Sequence, residues 1–97
     1  MKNEKSKFWV VEDDDTGDVK LFKSKERAID YAYDKCQQWG SILCIFVKDY
    51  TGDRYISLGN FGNREDQLNL LYRSTVTELN DTFEAYWYFQ EVEVEDE

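Results

Sequence analysis

The side chains that most often carry catalysis are missing from this chain or stand in an unsuitable sequence context. None of the 97 residues is histidine, so the usual general base and the commonest zinc ligand are absent. No Gly-x-Gly-x-x-Gly or Gly-Lys-Ser/Thr motif is present to hold phosphates. Two carboxylates in a cleft could still perform acid–base chemistry, but no acidic pair lies in apolar sequence that would tune its pKa. The sequence therefore predicts a protein that is not an enzyme and binds no cofactor.

An acidic cluster at residues 12–15 resembles two known kinds of site. Asp15, Thr16 and Gly17 spell the triplet of aspartic proteases, whose aspartates share a proton in a dry cleft. The preceding acids would instead make this segment wet and repulsive. An EF-hand loop starting at Glu12 would have Lys23 where a calcium-binding glutamate is required. A solvated hairpin turn, with Gly17 at positive φ, is the preferred interpretation.

The two cysteines and the N-terminal residues bear on the compartment. Cys36 and Cys44 lie among apolar residues, and we expect reduced core thiols rather than a disulfide or a zinc site. The segment before Phe8 is polar and contains lysine, and no apolar span of 18 residues occurs. We therefore expect a cytoplasmic protein that makes no membrane contact.

The net charge of −9 is unevenly distributed along the chain. Residues 1–73 contain 13 acids and 12 bases, whereas residues 74–97 contain eight acids and no base. Direct binding of nucleic acid or of an anionic membrane needs a basic surface, so both are disfavoured. A positively charged protein surface is the natural complement of the acidic segment.

The first half of the chain predicts two strands and a helix. Apolar β-formers at residues 8–11 and 19–22 flank the acidic turn, which indicates a strand–turn–strand unit. Ser24 then offers an N-cap, and Gly40 a C-terminal stop. The apolar residues between them recur at spacings of three and four, which places them on one face of a helix. They are Ala28, Ile29, Ala32, Tyr33, Cys36 and Trp39.

The middle of the chain predicts two further strands and a second helix. Residues 42–47 are apolar at every position, which is typical of a central strand buried on both faces. A turn at residues 49–53 leads into a strand at residues 54–58 and then, after a loop, into a helix at residues 64–73. Residues 75–77 are either another strand, which their β-branched side chains favour, or a continuation of that helix.

The last part of the chain predicts a long aromatic strand at residues 82–90. Alternation along this strand assigns Phe83, Ala85, Trp87 and Phe89 to the core side, and Glu84, Tyr86, Tyr88 and Gln90 to the outer side. Together these elements predict an α+β fold with the order ββα-ββα followed by one or two strands. We expect a mostly antiparallel sheet of five or six strands with one main helix on one face, and with Trp39 and Trp87 in the core.

The acidic residues that follow cannot share the buried face of this strand. Direct continuation would place Glu91, Glu93 and Glu95 on the apolar side, where an unpaired carboxylate is strongly unfavourable. We therefore expect the strand to leave the sheet near Gln90, or a bulge to exchange its faces. The domain would then span residues 1–90 and be followed by an acidic tail at residues 91–97.

An extended acidic tail would present carboxylates at a regular spacing. Alternate residues of a strand are about 6.6 Å apart, which is close to two steps of the roughly 3.4 Å rise per phosphate along one DNA strand. Neighbouring tyrosines would add the amphipathic contacts that protein interfaces favour. The predicted partner-binding residues are Glu84, Tyr86, Tyr88, Glu91, Glu93, Glu95, Asp96 and Glu97.

In size, in its lack of His and Pro, in its aromatic content and in its acidic run at residues 91–97, the chain resembles small acidic proteins that bacteriophages make to capture host enzymes. These include DNA mimics and anti-restriction or anti-CRISPR inhibitors. The resemblance implies binding to a basic, nucleic-acid-handling host protein and transfers no site residue. A solubility-enhancing acidic terminus explains the same pattern. Assembly through a strand edge and exposed tyrosines is a second alternative, and a carboxylate enzyme is a third. We expect the protein to be a monomer or a homodimer.

Overall fold

The computed structural model describes residues 4–50, 52–84 and 86–96. Within these residues the chain forms three α-helices and two antiparallel sheets, so the predicted α+β class is confirmed. The strands are β1 (Glu4–Asp13), β2 (Val19–Phe22), β3 (Cys44–Asp49), β4 (Gly52–Ser57) and β5 (Trp87–Asp96). The helices are α1 (Lys25–Trp39), α2 (Arg64–Tyr72) and α3 (Val76–Thr82), and a short 3₁₀ turn covers Leu58–Asn60.

The five strands do not form the single sheet that the sequence suggested. One sheet has the order β2-β1-β5, and the other consists of β3 and β4 alone. The prediction of a central, doubly buried strand at residues 42–47 is wrong, because Ile42 is 72% exposed and Phe46 is 47% exposed. A continuous apolar run shows that side chains avoid water on average, but it does not show which of them a neighbouring element will cover.

Helix α1 forms where the sequence predicted it. The Ser24 side chain accepts a hydrogen bond from the Arg27 N–H, and Gly40 ends the helix in the left-handed conformation at φ 71°. Its buried residues are Ala28, Ile29, Ala32, Tyr33 and Cys36. Burial raises the pKa of the Cys36 thiol to about 11, with the nearby Trp87 partly opposing the rise, and both cysteines are free thiols.

Trp39 departs from the predicted core face. It is the last residue of α1, and its ring is 52% exposed. The ring stacks on that of Trp87, with centroids 5.6 Å apart and an interplanar angle of 9°. Trp87 is buried, so Trp39 shields the core from outside rather than filling it.

The inner face of the three-stranded sheet meets α1. Trp9 and Val11 of β1 and Trp87 and Phe89 of β5 are all buried on this face. In the β1–β5 register Val11 lies opposite Phe89, and neither residue is accessible to solvent. This pair is part of the core.

Helix α2 is confirmed close to its predicted bounds, and α3 replaces the predicted strand or helix extension at residues 75–77. Thr75 accepts from the Glu78 N–H, and the Glu78 side chain accepts from the Thr75 N–H. This capping box starts a new helix after a break at Ser74. The Thr-x-x-Glu spacing is visible in the sequence, although the β-branched residues suggested a strand.

The predicted strand at residues 82–90 is wrong in its first half. Thr82 is the last residue of α3 and Phe83 is its C-cap, whereas β5 begins only at Trp87. Phe83 is buried as predicted, but it enters the core from a helix end. Ala85 lies outside the described residues.

The two aromatic residues that stack at the end of α1 should contribute unequally to stability. Trp87→Ala is expected to lower the free energy of unfolding by about 3–5 kcal/mol, because it empties a buried site. Trp39→Ala should lower it by only about 1–2 kcal/mol, since half of the ring already faces water. Urea denaturation of both variants measures the difference, and equal losses would contradict the peripheral placement of Trp39.

Candidate protein-binding surface

The structure brings only some of the predicted partner-binding residues together on a surface. Tyr88, Glu91 and Glu93 lie in β5 and are exposed. Glu84 is exposed just after α3, whereas Tyr86 precedes β5 and packs partly against the core. Glu95 and Asp96 belong to β5, but their side chains are outside the described part of the structure, as is the whole of Glu97.

Strand β5 stays paired with β1 along its whole length. The register runs without a break from Asp13↔Trp87 to Glu4↔Asp96. The expectation that the chain leaves the sheet near Gln90, or that a bulge exchanges its faces, is therefore wrong. The acidic segment at residues 91–96 is the second half of a strand.

The expectation arose because Glu91 and Glu93 would share a face with buried aromatic residues. The ribbon formed by β1 and β5 is long enough to keep both carboxylates in water. Glu91 and Glu93 do lie on the face that carries Trp87 and Phe89, but both glutamates are exposed. The ribbon thus outruns the elements that cover its core end, and the carboxylates stay in water. An elongated outline agrees with this, because the radius of gyration is 15.0 Å and the longest extent is 53 Å, whereas a compact chain of this size has a radius of about 12–13 Å.

Two lysines of β1 lie opposite glutamates of β5, whereas Glu91 lies opposite Trp9. Lys7 is paired with Glu93 in the register, and its Nζ lies 3.8 Å from Glu93 Oε1. Lys5 is opposite Glu95. An exposed ion pair of this kind contributes roughly 0–1 kcal/mol to folding stability, so it does little to hold the two strands together. The two strands together hold seven acids and two bases, and the ribbon therefore keeps an anionic surplus despite its own lysines.

The outer edge of β5, the side facing away from β1, is partly occupied by α3. The Asn80 Oδ1 accepts from the Phe89 N–H at 2.6 Å, and the Asn80 Nδ2 donates to the Phe89 carbonyl at 3.0 Å. The Trp87 N–H donates to the Phe83 carbonyl at 2.9 Å. One side-chain amide thus takes the place of a neighbouring strand at Phe89.

The edge is open one step further along. Backbone groups of alternate strand residues point the same way, so the N–H and C=O of Glu91 point outwards like those of Phe89. No hydrogen bond from the residues that the structure describes reaches these two groups of Glu91. Among the described residues, the edge of β5 is therefore uncapped at Glu91.

Sequence reasoning missed a second feature, an aromatic groove between the β3–β4 hairpin and helices α2 and α3. Phe46 and Tyr55 are in edge-to-face contact, with centroids 5.3 Å apart, and Phe61 lies beside them. The groove has a volume of about 550 Å³. All three rings are substantially exposed. The apolar run at residues 42–47 gave no sign that Phe46 would face outwards.

Helix α3 connects the groove with the acidic edge. Its Asp81 lines the groove and accepts a hydrogen bond from the Tyr55 hydroxyl at 3.2 Å. Desolvation and this bond raise the pKa of Tyr55. From the same helix Asn80 reaches β5. The aromatic groove and the edge of β5 therefore both adjoin helix α3.

The acidic turn between β1 and β2 is held by its own side chains. Asp13 Oδ1 accepts from the N–H groups of Asp15 and Thr16, and Gly17 has a φ of 78°. This is the hairpin turn that the sequence indicated. Among the described residues, no group of three or more Cys, Asp or Glu side chains is placed to hold a metal ion.

Comparisons with other proteins assign no family. No protein-family model, curated protein or solved structure matches this chain. Within the described ranges, none of the helices is long and apolar enough to cross a membrane.

The two hydrogen bonds of Asn80 should be important for holding α3 against β5. Asn80→Ala is expected to lower the free energy of unfolding by about 1–3 kcal/mol, because it leaves the Phe89 N–H and C=O without partners. Asn80→Asp keeps the acceptor and removes the donor, so the free energy of unfolding should fall by less than in Asn80→Ala. Thermal or urea unfolding measures both, and an Asn80→Ala variant as stable as the parent would contradict this role.

Proposed function

We propose that this protein is a non-catalytic binding protein that captures a basic surface of another protein through β5 and the adjoining α3. The observation that carries the proposal is the anionic surplus of the β1–β5 ribbon combined with the position of β5 at a sheet edge. Helix α3 and strand β5 both contain acidic residues and no basic residue. A surface of this kind attracts a positively charged partner and repels nucleic acid.

The spacing of the acids supports a narrower version of this proposal, in which the partner handles nucleic acid. Glu91 and Glu93 lie two residues apart in an extended strand, a separation of about 6.6 Å, or roughly two phosphate steps of one DNA strand. Tyr88 is exposed on the opposite face of the same strand and can supply an amphipathic contact. The protein would then act as an inhibitor that occupies a groove made for DNA or RNA.

The alternative of assembly through the same strand edge is less well supported. Antiparallel pairing of two β5 strands over residues 91–96 would bring glutamates of the two copies next to one another, and like charges at such positions are destabilising. Charge therefore favours a different, basic partner over a second copy. High salt separates the two possibilities, since it would weaken capture of a basic protein and relieve repulsion between copies.

Removal of the acidic side chains of β5 should weaken capture. A variant with Glu91→Gln and Glu93→Gln is expected to capture about tenfold less basic protein from a cell lysate at low salt than the parent does. Each lost charge removes a modest part of the attraction, and the two losses add. Quantitative mass spectrometry of an affinity pull-down, run at low and high salt, measures the loss.

The matched control carries Glu26→Gln and Glu65→Gln, which remove the same charge from exposed positions on α1 and α2. This control should capture nearly as much as the parent. If both double variants bind equally well, the local acidic strand is not the contact and the proposal fails.

A further inference from the structure

We infer that the aromatic groove binds an arginine side chain of the partner, with apolar residues beside that arginine in the partner's sequence. The inference rests on the proposed function for the basic character of the partner. It adds the identity of one contact, in which the guanidinium lies against the exposed rings of the groove and bonds to Asp81.

The rings of the groove are open to a ligand. Tyr55 is 58% exposed and Phe46 is 47% exposed. The two residues stand opposite one another in the β3–β4 register, so both rings project from the same face of this hairpin. Among the described residues, no Lys or Arg lies over these two rings or over that of Phe61. The aromatic faces are therefore available to a cation from another molecule.

Elsewhere in the same chain, a tyrosine and a carboxylate together hold an arginine. The Arg64 guanidinium lies 5.7 Å from the centroid of the Tyr33 ring, and its Nη2 donates to Asp34 Oδ1 at 2.8 Å. In the groove, Tyr55 and Asp81 bring the same two chemical groups together, since the Tyr55 hydroxyl donates to Asp81 Oδ1. The groove thus offers the surroundings of Arg64 to an arginine that comes from outside.

The acids of α3 give the groove a negative wall. Glu78 and Asp81 both line it, together with the single base Lys48. In the described structure Lys48 forms no ion pair with either acid. Glu78 uses Oε1 to cap α3 and Asp81 uses Oδ1 for Tyr55, so each carboxylate keeps its second oxygen for a donor. This charge complements a basic side chain of the partner.

An arginine suits these surroundings better than a lysine. Its guanidinium is planar and weakly hydrated, stacks on aromatic rings and presents two N–H groups to a carboxylate, whereas a lysine ammonium is compact and strongly hydrated. The groove, at about 550 Å³, is as large as a small-molecule site, so it admits more than one side chain. Ile45, Phe61 and Leu70 also line it, which is why apolar neighbours of the arginine are expected.

The test titrates an acetylated and amidated Leu-Arg-Leu tripeptide into the full ¹⁵N-labelled chain and follows binding by NMR. Two matched peptides carry lysine or citrulline instead of arginine, and citrulline keeps the shape of arginine without its charge. The arginine peptide should bind about fivefold more tightly than the citrulline peptide, with the lysine peptide between them and with amide shifts at Phe46, Tyr55 and Asp81. A different order, equal affinities, shifts only outside the groove, or no binding at millimolar peptide would overturn the inference.

Protein variants test the two groups of the site separately. Asp81→Asn should abolish the preference for arginine over citrulline, because a neutral amide replaces the carboxylate. Tyr55→Phe keeps the ring and frees Asp81 Oδ1, so the arginine peptide should bind at least as tightly as it does to the parent. Glu65→Gln, at an exposed position on α2, is the control and should behave like the parent. A preference retained in Asp81→Asn, or binding lost in Tyr55→Phe, would contradict the assignment.

The charge variant of β5 distinguishes failure of the inference from failure of the proposed function. If Glu91→Gln with Glu93→Gln lowers capture of basic proteins while the arginine and citrulline peptides bind alike, charge-led capture stands and arginine binding in the groove is overturned. If the arginine peptide binds in the groove as expected but the β5 variant captures as much as its matched control, the groove assignment stands and capture through β5 fails.

Discussion

The uninterrupted pairing of β1 with β5 is the constraint on which the rest of the structure depends. A single register joins ten residues of each strand. It places Val11 and Phe89 opposite one another in the core, and the same register places Lys7 beside Glu93 in water. A slip by one residue would turn both sets to the opposite face, since side chains alternate along a strand. The core and the acidic surface are therefore fixed by one set of hydrogen bonds.

The helices determine how far the core extends along this ribbon. Helix α1 lies over the end that carries Trp9, Val11, Trp87 and Phe89. Helix α2 is joined to α1 by hydrogen bonds from Tyr33 to Gln67 and from Tyr72 to Asp30. Burial, followed by the bond to Asp30, raises the pKa of Tyr72 to about 12. Helix α3 closes the edge of β5 at Phe89 through the side chain of Asn80.

Much of the local structure could be predicted from the sequence because local rules decide it. Periodicity and capping residues define α1, and alternation correctly divides Trp87 and Phe89 from Tyr88 and Gln90. The capping box at Thr75 was equally readable, but β propensity suggested a strand. These features involve residues a few positions apart, and the sequence holds the information for them.

Which strand residues are covered by other helices and strands could not be predicted in the same way. Alternation along β5 shows that Glu91 shares a face with Phe89, but it does not show that this face is exposed to water at Glu91. The apolar run at residues 42–47 likewise does not show that Phe46 will be exposed. The expectation of a bulge near Gln90 assumed that the whole face was buried. The aromatic groove and the amide cap of Asn80 depend likewise on how α3 packs between the two sheets, which no short-range pattern encodes.

In the free protein, the outer edge of β5 should be open at Glu91, one step beyond the position that Asn80 occupies. Amide hydrogen exchange of the free protein, measured residue by residue by NMR, tests this most directly. The account predicts slow exchange at Gln90 and Val92, which bond to β1, slow exchange at Phe89, which bonds to Asn80, and fast exchange at Glu91. Protection of Glu91 equal to that of its neighbours would show that the edge is already covered, and this would contradict the account.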